Sequence, residues 1–214
     1  MQNNITIQNV CENIVLKASS SRHNSSIIDL NDKFISSIDE MDKYSFIGEF
    51  ALYDDDTDEI LAKVSGIFFD EDKILTENED IVDIADMIDA DVYEAMASLT
   101  KSKLYNQEIN EENMFLPLFS CYIQRIYVYP KYREKGIAHY IFLNLEQIFL
   151  HCFNAHIRSF VIFPKPQHPN EKNEWEDYPD KDGTMLKKMT SLLKNNGYKQ
   201  IGKTGFYAKN CAVD

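Results

Sequence analysis

Glycine is scarce in this chain, at seven of 214 residues, and none falls into the repeated pattern that a nucleotide-binding loop needs. Neither G-x-x-x-x-G-K-[ST] nor G-x-G-x-x-G occurs, which sets aside P-loop hydrolysis and Rossmann-type dinucleotide binding. Cysteine is equally thin. Cys11, Cys121, Cys152 and Cys211 are scattered without a C-x-x-C pair, and the five histidines do not gather with them. No metal site is therefore expected, and Cys121 and Cys152, in apolar surroundings, read as small core residues. Positive charge is also short: 22 Lys and Arg stand against 35 Asp and Glu, for a formal net charge of -13. That balance argues against nucleic acid or an anionic membrane surface as partner, since both reward a basic face. Long hydrophobic runs are missing as well. The most apolar window, 137–153, is interrupted by His139, Asn144, Glu146 and Gln147, too polar for a membrane span. The first ten residues are polar without a positive flank, so a secretory leader is not expected. A cytoplasmic protein is the expectation.

Core-forming residues are plentiful: 44% of the chain is hydrophobic, with 13 Phe and 12 Tyr. One domain over residues 1–214 is expected, in three parts at 1–43, 44–113 and 114–214. In the first part, "ITIQNV" and "ENIVLKA" are strand candidates and 30–41 a short helix. "YSFIGEFALYDDDTDEILAKVSGIFFD" (44–70) places two aromatic, β-branched runs around an acidic turn, the signature of a β-hairpin. That turn lacks the glycine and the spaced oxygen ligands of a calcium loop. "EDIVDIADMIDADVYEAMASLTKSKLY" (79–105) changes to helical period, with Ile81, Ile84, Ala85, Ile88, Val92, Met96 and Leu99 on one stripe. Residues 114–130 predict an apolar strand ending at Pro130. Helical period returns from Ile137 to Cys152, and "IRSFVIF" predicts a buried strand. Residues 164–183 hold four prolines and read as a long loop. A helix through Leu193 stops at Gly197, and two short strands close the chain. The succession predicts a mixed α/β domain with a strand-turn-helix-strand unit at its middle.

The segment "YPKYREKGIAHYIF" (129–142) carries the most chemistry. Lys131, Arg133 and Lys135 lie within five positions, and Gly136-Ile137-Ala138 then opens a helix. A strand-to-helix turn leaves backbone N–H groups unpaired, and the helix dipole adds roughly half a positive charge there. Gly136 and the small Ala138 let a ligand approach that backbone, and Arg133 and Lys135 add direct charge. Such a turn suits a phosphate or pyrophosphate. The acidity of the whole chain is a weak objection, because screening limits exposed charges to about 8 Å at physiological salt.

With its flanks, "IQRIYVYPKYREKGIAHYIFLNL" resembles the signature of the GNAT superfamily of N-acetyltransferases: an apolar strand ending in V-x-P, an aromatic-Arg pair, then [QR]-x-x-G-x-[GA] opening a helix. The elements here are Val128-Tyr129-Pro130, Tyr132-Arg133 and Arg133-Glu134-Lys135-Gly136-Ile137-Ala138. "LLKNNGYKQIGKTGFY" is similar to the family's closing helix, its stop at Gly197-Tyr198 and its last strands. The resemblance covers about half of the chain, from residue 114 onward. It implies a twisted, mostly antiparallel central sheet with flanking helices and a V-shaped splay between two strands. It implies acetyl-CoA, CoA or another acyl-CoA as cofactor, with its pyrophosphate on the turn amides of Arg133, Glu134, Lys135, Gly136, Ile137 and Ala138. The pantetheine arm would pair with backbone at Ile126, Tyr127 and Val128. The partner implied is a small-molecule or peptide amine that accepts the acetyl group, and a homodimer is left open.

The proton relay departs from the family pattern. Some relatives carry a glutamate on the strand leading into V-x-P; that position falls near Tyr122, and no carboxylate lies between residues 114 and 130. The tyrosine that many relatives place four residues before the Gly-aromatic stop is Leu193. Glu49 on the hairpin stands as the replacement base, and Tyr122 or Tyr207 as the replacement acid. The departures leave a second reading, a catalytically weak acyl-CoA-binding or regulatory module. The loop at 164–183, with Trp175 and Tyr178, is the expected lid over the acceptor.

Overall fold

The computed structural model describes residues 14–20, 41–105, 118–170 and 175–211. Strands β1 (Ile14–Ser20), β2 (Ser45–Asp54), β3 (Glu59–Asp70), β4 (Leu118–Val128), β5 (His156–Ile162), β8 (Lys199–Gln200) and β9 (Tyr207–Asn210) form one sheet in the order β1-β2-β3-β4-β5-β9-β8. Every neighbouring pair is antiparallel except β4 and β5, which run parallel. Helices α2 (Glu71–Thr76), α3 (Ile81–Asp86) and α4 (Ala90–Thr100) lie on one face, and α5 (Ile137–Phe153) and α6 (Thr184–Asn195) on the other. A four-residue α1 (Met41–Tyr44) leads into β2, and β6 (Gln167–Pro169) pairs with β7 (Trp175–Asp177) outside the main sheet. The chain is thus a mixed α/β domain around a mostly antiparallel sheet. No helix among the described residues is long and apolar enough to cross a membrane.

The hairpin expected at 44–70 is β2 and β3, closed by a turn in which Asp54 accepts the N–H of Asp56 at 3.1 Å. The helical stretch at 79–105 is not one helix. It divides into α3 and α4, because Asp80 and Asp89 each accept a first-turn N–H at 2.7 Å, from Val82 and Asp91. A short carboxylate two residues before an unpaired amide starts a helix, so the second aspartate begins a new one within the apolar stripe. A third cap, Asp70 accepting from Lys73, starts α2, which the periodicity did not predict. The loop at 164–183 carries the β6-β7 hairpin. The strand candidate at 5–10 and residues 30–40 of the expected first helix lie outside the described residues.

The two faces hold separate cores. On the α5 side, Ile137, Ile141, Leu145 and Phe149 form a stripe at i, i+4, i+8 and i+12, packed on Phe50, Phe68 and Phe160. Phe68 sits edge-to-face with Phe149 at 4.8 Å and stacks on Phe46 at 4.6 Å. On the α4 side, Ile67, Phe69, Tyr122 and Val161 meet Ile84, Val92, Met96 and Leu99. A partly buried ion pair ties α2 to β5: Arg158 donates to Glu71 at 2.7 Å and to the Tyr105 carbonyl at 2.7 Å.

One irregularity positions the side chains at the end of β4. The β3-β4 register runs Gly66↔Ile123 and then Ser65↔Arg125, leaving Gln124 as an extra residue. This β-bulge turns the strand by one residue. Tyr122 and Arg125, three apart, consequently share the α4 face, where strict alternation would separate them.

A cleft at the open end of strands β4 and β5

Pairing between β4 and β5 ends at Ile123↔Ile162, while β4 continues to Val128 along β3. Beyond that point the β4 edge facing β5 has no partner strand among the described residues. The Tyr129 N–H donates to the Leu61 carbonyl at 3.0 Å, which fixes the phase of the antiparallel ladder. Counting back by twos, Tyr127 and Arg125 pair with β3, and the peptide groups of Ile126 and Val128 face the gap. The Val128 carbonyl accepts from Arg133 Nε at 3.0 Å. Of the three residues expected to offer backbone to a pantetheine arm, Ile126 and Val128 therefore face the gap and Tyr127 does not.

A largely apolar cavity of about 200 Å3 occupies this gap, lined by β4 from Gln124 to Val128, by Arg133, Ala138 and Phe142 at the head of α5, and by Met185, Met189, Leu192 and Leu193 of α6. Trp175 and Tyr178 close its outer side. The Trp175 ring meets Tyr127 edge-on at 5.1 Å and carries the Arg125 guanidinium at 4.0 Å. The expected lid segment thus bounds the apolar cavity.

At the far end stands the cationic turn. Pro130–Tyr132 forms a single 3-10 turn, Glu134 takes a positive φ of 62°, and Gly136 one of 82° as the residue preceding α5. No side chain among the described residues caps α5, and the first-turn amides of Ile137, Ala138 and His139 have no intrahelical acceptor. The three cations do not act alike. Lys131 pairs with Glu59 at 2.5 Å, and Tyr132 also donates to that carboxylate, which pins the turn to β3 and holds the Glu59 carboxyl below its ordinary range. Glu134 is paired with Lys188 of α6 at 3.1 Å. Arg133 reaches back to β4, and Lys135 makes no ion pair among the described residues while lying 5.4 Å from the Tyr132 ring. Direct positive charge at the turn comes from Arg133 and Lys135, and Lys131 is a structural fastening.

A second, polar cavity of about 140 Å3 opens on the α4 side. It shares Gln124, Arg125, Phe163, Lys165 and Gln167 with the first, so the two meet at the end of the β4-β5 ladder. Its remaining walls are Asp89, Asp91 and Val92 at the start of α4, and Tyr122. Tyr122 is 8% exposed. Burial, then Asp91 and Asp89, push its phenol up to about 12. It stays a neutral hydrogen-bond donor at physiological pH, and no partner for its hydroxyl occurs among the described residues. Arg125 Nε is buried and likewise without a hydrogen-bond partner there. Burial lowers the Arg125 pKa, opposed by Glu49 and Tyr122, yet an arginine stays charged at neutral pH.

The other candidates fall elsewhere. Glu49 is half-buried on β2, in the register row Glu49↔Ser65↔Arg125. It sits two strands from Arg125, about 10 Å between backbones, and outside both cavity walls. Tyr207 is buried on β9 beside Ile162, in the α5-side core, and also lines neither cavity. Asp89, Asp91, Arg125 and Lys165 were not singled out by sequence reading. Arg125 had a signal, as the lone cation inside the strand "LFSCYIQRIYV". The aspartates had none, since a helix N-cap explains Asp89 and an acidic first turn explains Asp91. Neither a scan against protein-family models nor a search of curated proteins finds a match to the chain.

Proposed function

We propose that this chain is an acetyl-CoA-dependent N-acetyltransferase of the GNAT type, transferring the acetyl group to an amine. One observation carries the reading: two adjoining cavities, with Gln124, Arg125, Phe163, Lys165 and Gln167 in both walls, extend from the head of α5 along the β4 edge beyond its ladder with β5 to the α4 side of the sheet. Such an arrangement suits a long cofactor with an anionic end, an amide-bearing apolar arm and a reactive tip, met by a second substrate from the other side. The turn amides and Arg133 and Lys135 would hold the pyrophosphate. The exposed peptide groups of Ile126 and Val128 would pair with the arm, and the β4-β5 gap would be the splay that admits it.

Bound acetyl-CoA supplies the thioester: its carbonyl carbon gains the C–N bond as the C–S bond breaks, and CoA leaves as the thiol with the amine's proton. The chain's residues supply the surroundings. An amine near pKa 10.4 needs about 4–5 kcal/mol to lose its proton at pH 7, and Asp89 or Asp91, directly or through water, is placed in the polar cavity to receive it. The Tyr122 hydroxyl acts as a hydrogen-bond donor to the departing sulfur. Outright transfer of its proton to a thiolate near 8.5 would be uphill by about 4–5 kcal/mol, so donation without transfer is the role its environment suits.

Calorimetric titration with CoA and acetyl-CoA, followed by thiol release with a panel of amines, tests the proposal. Binding with amine-dependent thiol release is expected. Absence of CoA binding would overturn it, and tight binding without turnover would favour the acyl-CoA-binding module.

A further inference from the structure

The polar cavity carries charge of both signs, held apart. Asp89 and Asp91 stand at the start of α4, and Arg125 stands on β4 at the junction with the apolar cavity. Lys165 is also in the wall but is paired with Asp177 at 3.0 Å. Arg125 makes no ion pair within 4 Å among the described residues; the acid acting on it is Glu49, two strands away. Tyr122 lines the same cavity. Two groups in this cavity await a partner: the Tyr122 hydroxyl, on a side chain more than nine-tenths buried, and the buried Arg125 Nε. Arg125 Nε is a buried donor left unsatisfied, which is costly, and a ligand oxygen in the cavity would satisfy it or the Tyr122 hydroxyl.

A polyamine would meet an unpaired guanidinium in this wall, and a neutral amine would leave Arg125 unanswered. We infer that the acceptor is a zwitterion, a small amino acid whose ammonium sits at Asp89 and Asp91 and whose carboxylate sits at Arg125. Planar, multi-donor recognition of a carboxylate is what a guanidinium does best, and Trp175 beneath it fixes its plane. The inference rests on the acetyltransferase reading for the fate of the amine, but not for the binding itself.

The test uses the full chain with the common L-amino acids, their carboxamides and spermidine as probes. Thiol release from acetyl-CoA and calorimetry of each probe alone are the readouts. At least one amino acid is expected to exceed its own carboxamide and spermidine by tenfold or more in kcat/KM. R125Q should bring the acid-to-amide ratio toward one, while D89N/D91N should lower both members of the pair. The comparison of acid with amide on the unaltered protein needs no variant to fold. Equal or better use of carboxamides or spermidine overturns the inference, as does acetyl-CoA binding with no amino acid acetylated. If acetyl-CoA is not bound, the acetyltransferase reading fails, and calorimetry alone decides: preference for amino acids over carboxamides sustains the zwitterion site, and no preference ends it.

Discussion

Replacing Tyr122 by Phe should move stability and turnover in different directions. The ring is packed with Ile67, Val92 and Met96, and Phe keeps that packing. The lost hydroxyl has no hydrogen-bond partner among the described residues, and an unsatisfied buried polar group costs about 1–3 kcal/mol. Contact with the cavity lets water relieve part of that cost, so the variant should be as stable as the parent or up to about 1 kcal/mol more stable. Turnover should fall. A donor aimed at developing negative charge is worth about 2.7–4 kcal/mol, or 10²–10³ in kcat. Denaturant unfolding and thiol release on the same preparation measure both. Below pH 9 the rate profile should keep its shape, because a phenol near 12 stays neutral there. Alkaline stability adds a check with a defined sign. The folded-state pKa lies above the ordinary value of 10, so this contribution is fully present below pH 10 and is lost as pH rises through about 12. The Phe variant should therefore gain on the parent by up to about 2.7 kcal/mol across that window. A loss of more than 1 kcal/mol at pH 7 would mean that the hydroxyl is structurally bonded. A kcat within threefold of the parent would refute its place beside the reacting atoms.

Gly136→Val forces a β-branched residue to a φ of 82°, at about 1–2 kcal/mol of strain; CoA affinity measured by calorimetry should drop more than tenfold, and unchanged affinity would dissociate the turn from the cofactor. Arg158→Ala leaves the partly buried Glu71 without its cation and should cost about 1–3 kcal/mol in urea unfolding; a cost under 1 kcal/mol would show that water compensates the carboxylate. Gly66→Ala would put a methyl 2.9 Å from Cys121 Sγ and 3.3 Å from the Tyr122 carbonyl; about 1–3 kcal/mol of destabilisation is expected, with turnover falling further as the bulge shifts. Trp175→Ala removes the ring against Tyr127 and Arg125, so CoA affinity and acceptor KM should both weaken; an effect on the acceptor alone would return the segment to the lid role that its sequence suggested.

Where one period governs, the chain was legible. Ile137, Ile141, Leu145 and Phe149 share a face because nothing between them interrupts the helix, and the hairpin follows from aromatic runs on both sides of an acidic turn. Legibility failed where local chemistry cut across a period. Asp89 sits inside a helical stripe that looks continuous, yet its carboxylate satisfies the Asp91 amide and starts α4 anew. Lys131 looked like one of three equal cations, and only the tertiary approach of Glu59, 72 positions earlier, turns it into a fastening. The polar cavity was hidden for the same reason. Its walls come from α4, β4 and the chain after β5, so no contiguous stretch contains a site.

The bulge at Gln124 connects the two sides of the cleft. Were β4 to alternate strictly through Gln124, Arg125 would face the α5-side core with Ile123, and a guanidinium there would be set among apolar side chains. With the bulge, Arg125 turns to the α4 face beside Tyr122 at the point where the β4-β5 ladder ends. The displacement also decides which peptide groups of β4 meet the gap, since register and side-chain face are coupled along a strand. A one-residue irregularity thus sets the cation on the acceptor side and the Ile126 and Val128 amides on the cofactor edge together. Giving Gln124 a partner, by inserting one residue between Ser65 and Gly66 of β3, would restore strict alternation along β4 and should therefore damage both sides of the cleft at once, which separate substitutions in either cavity would not do.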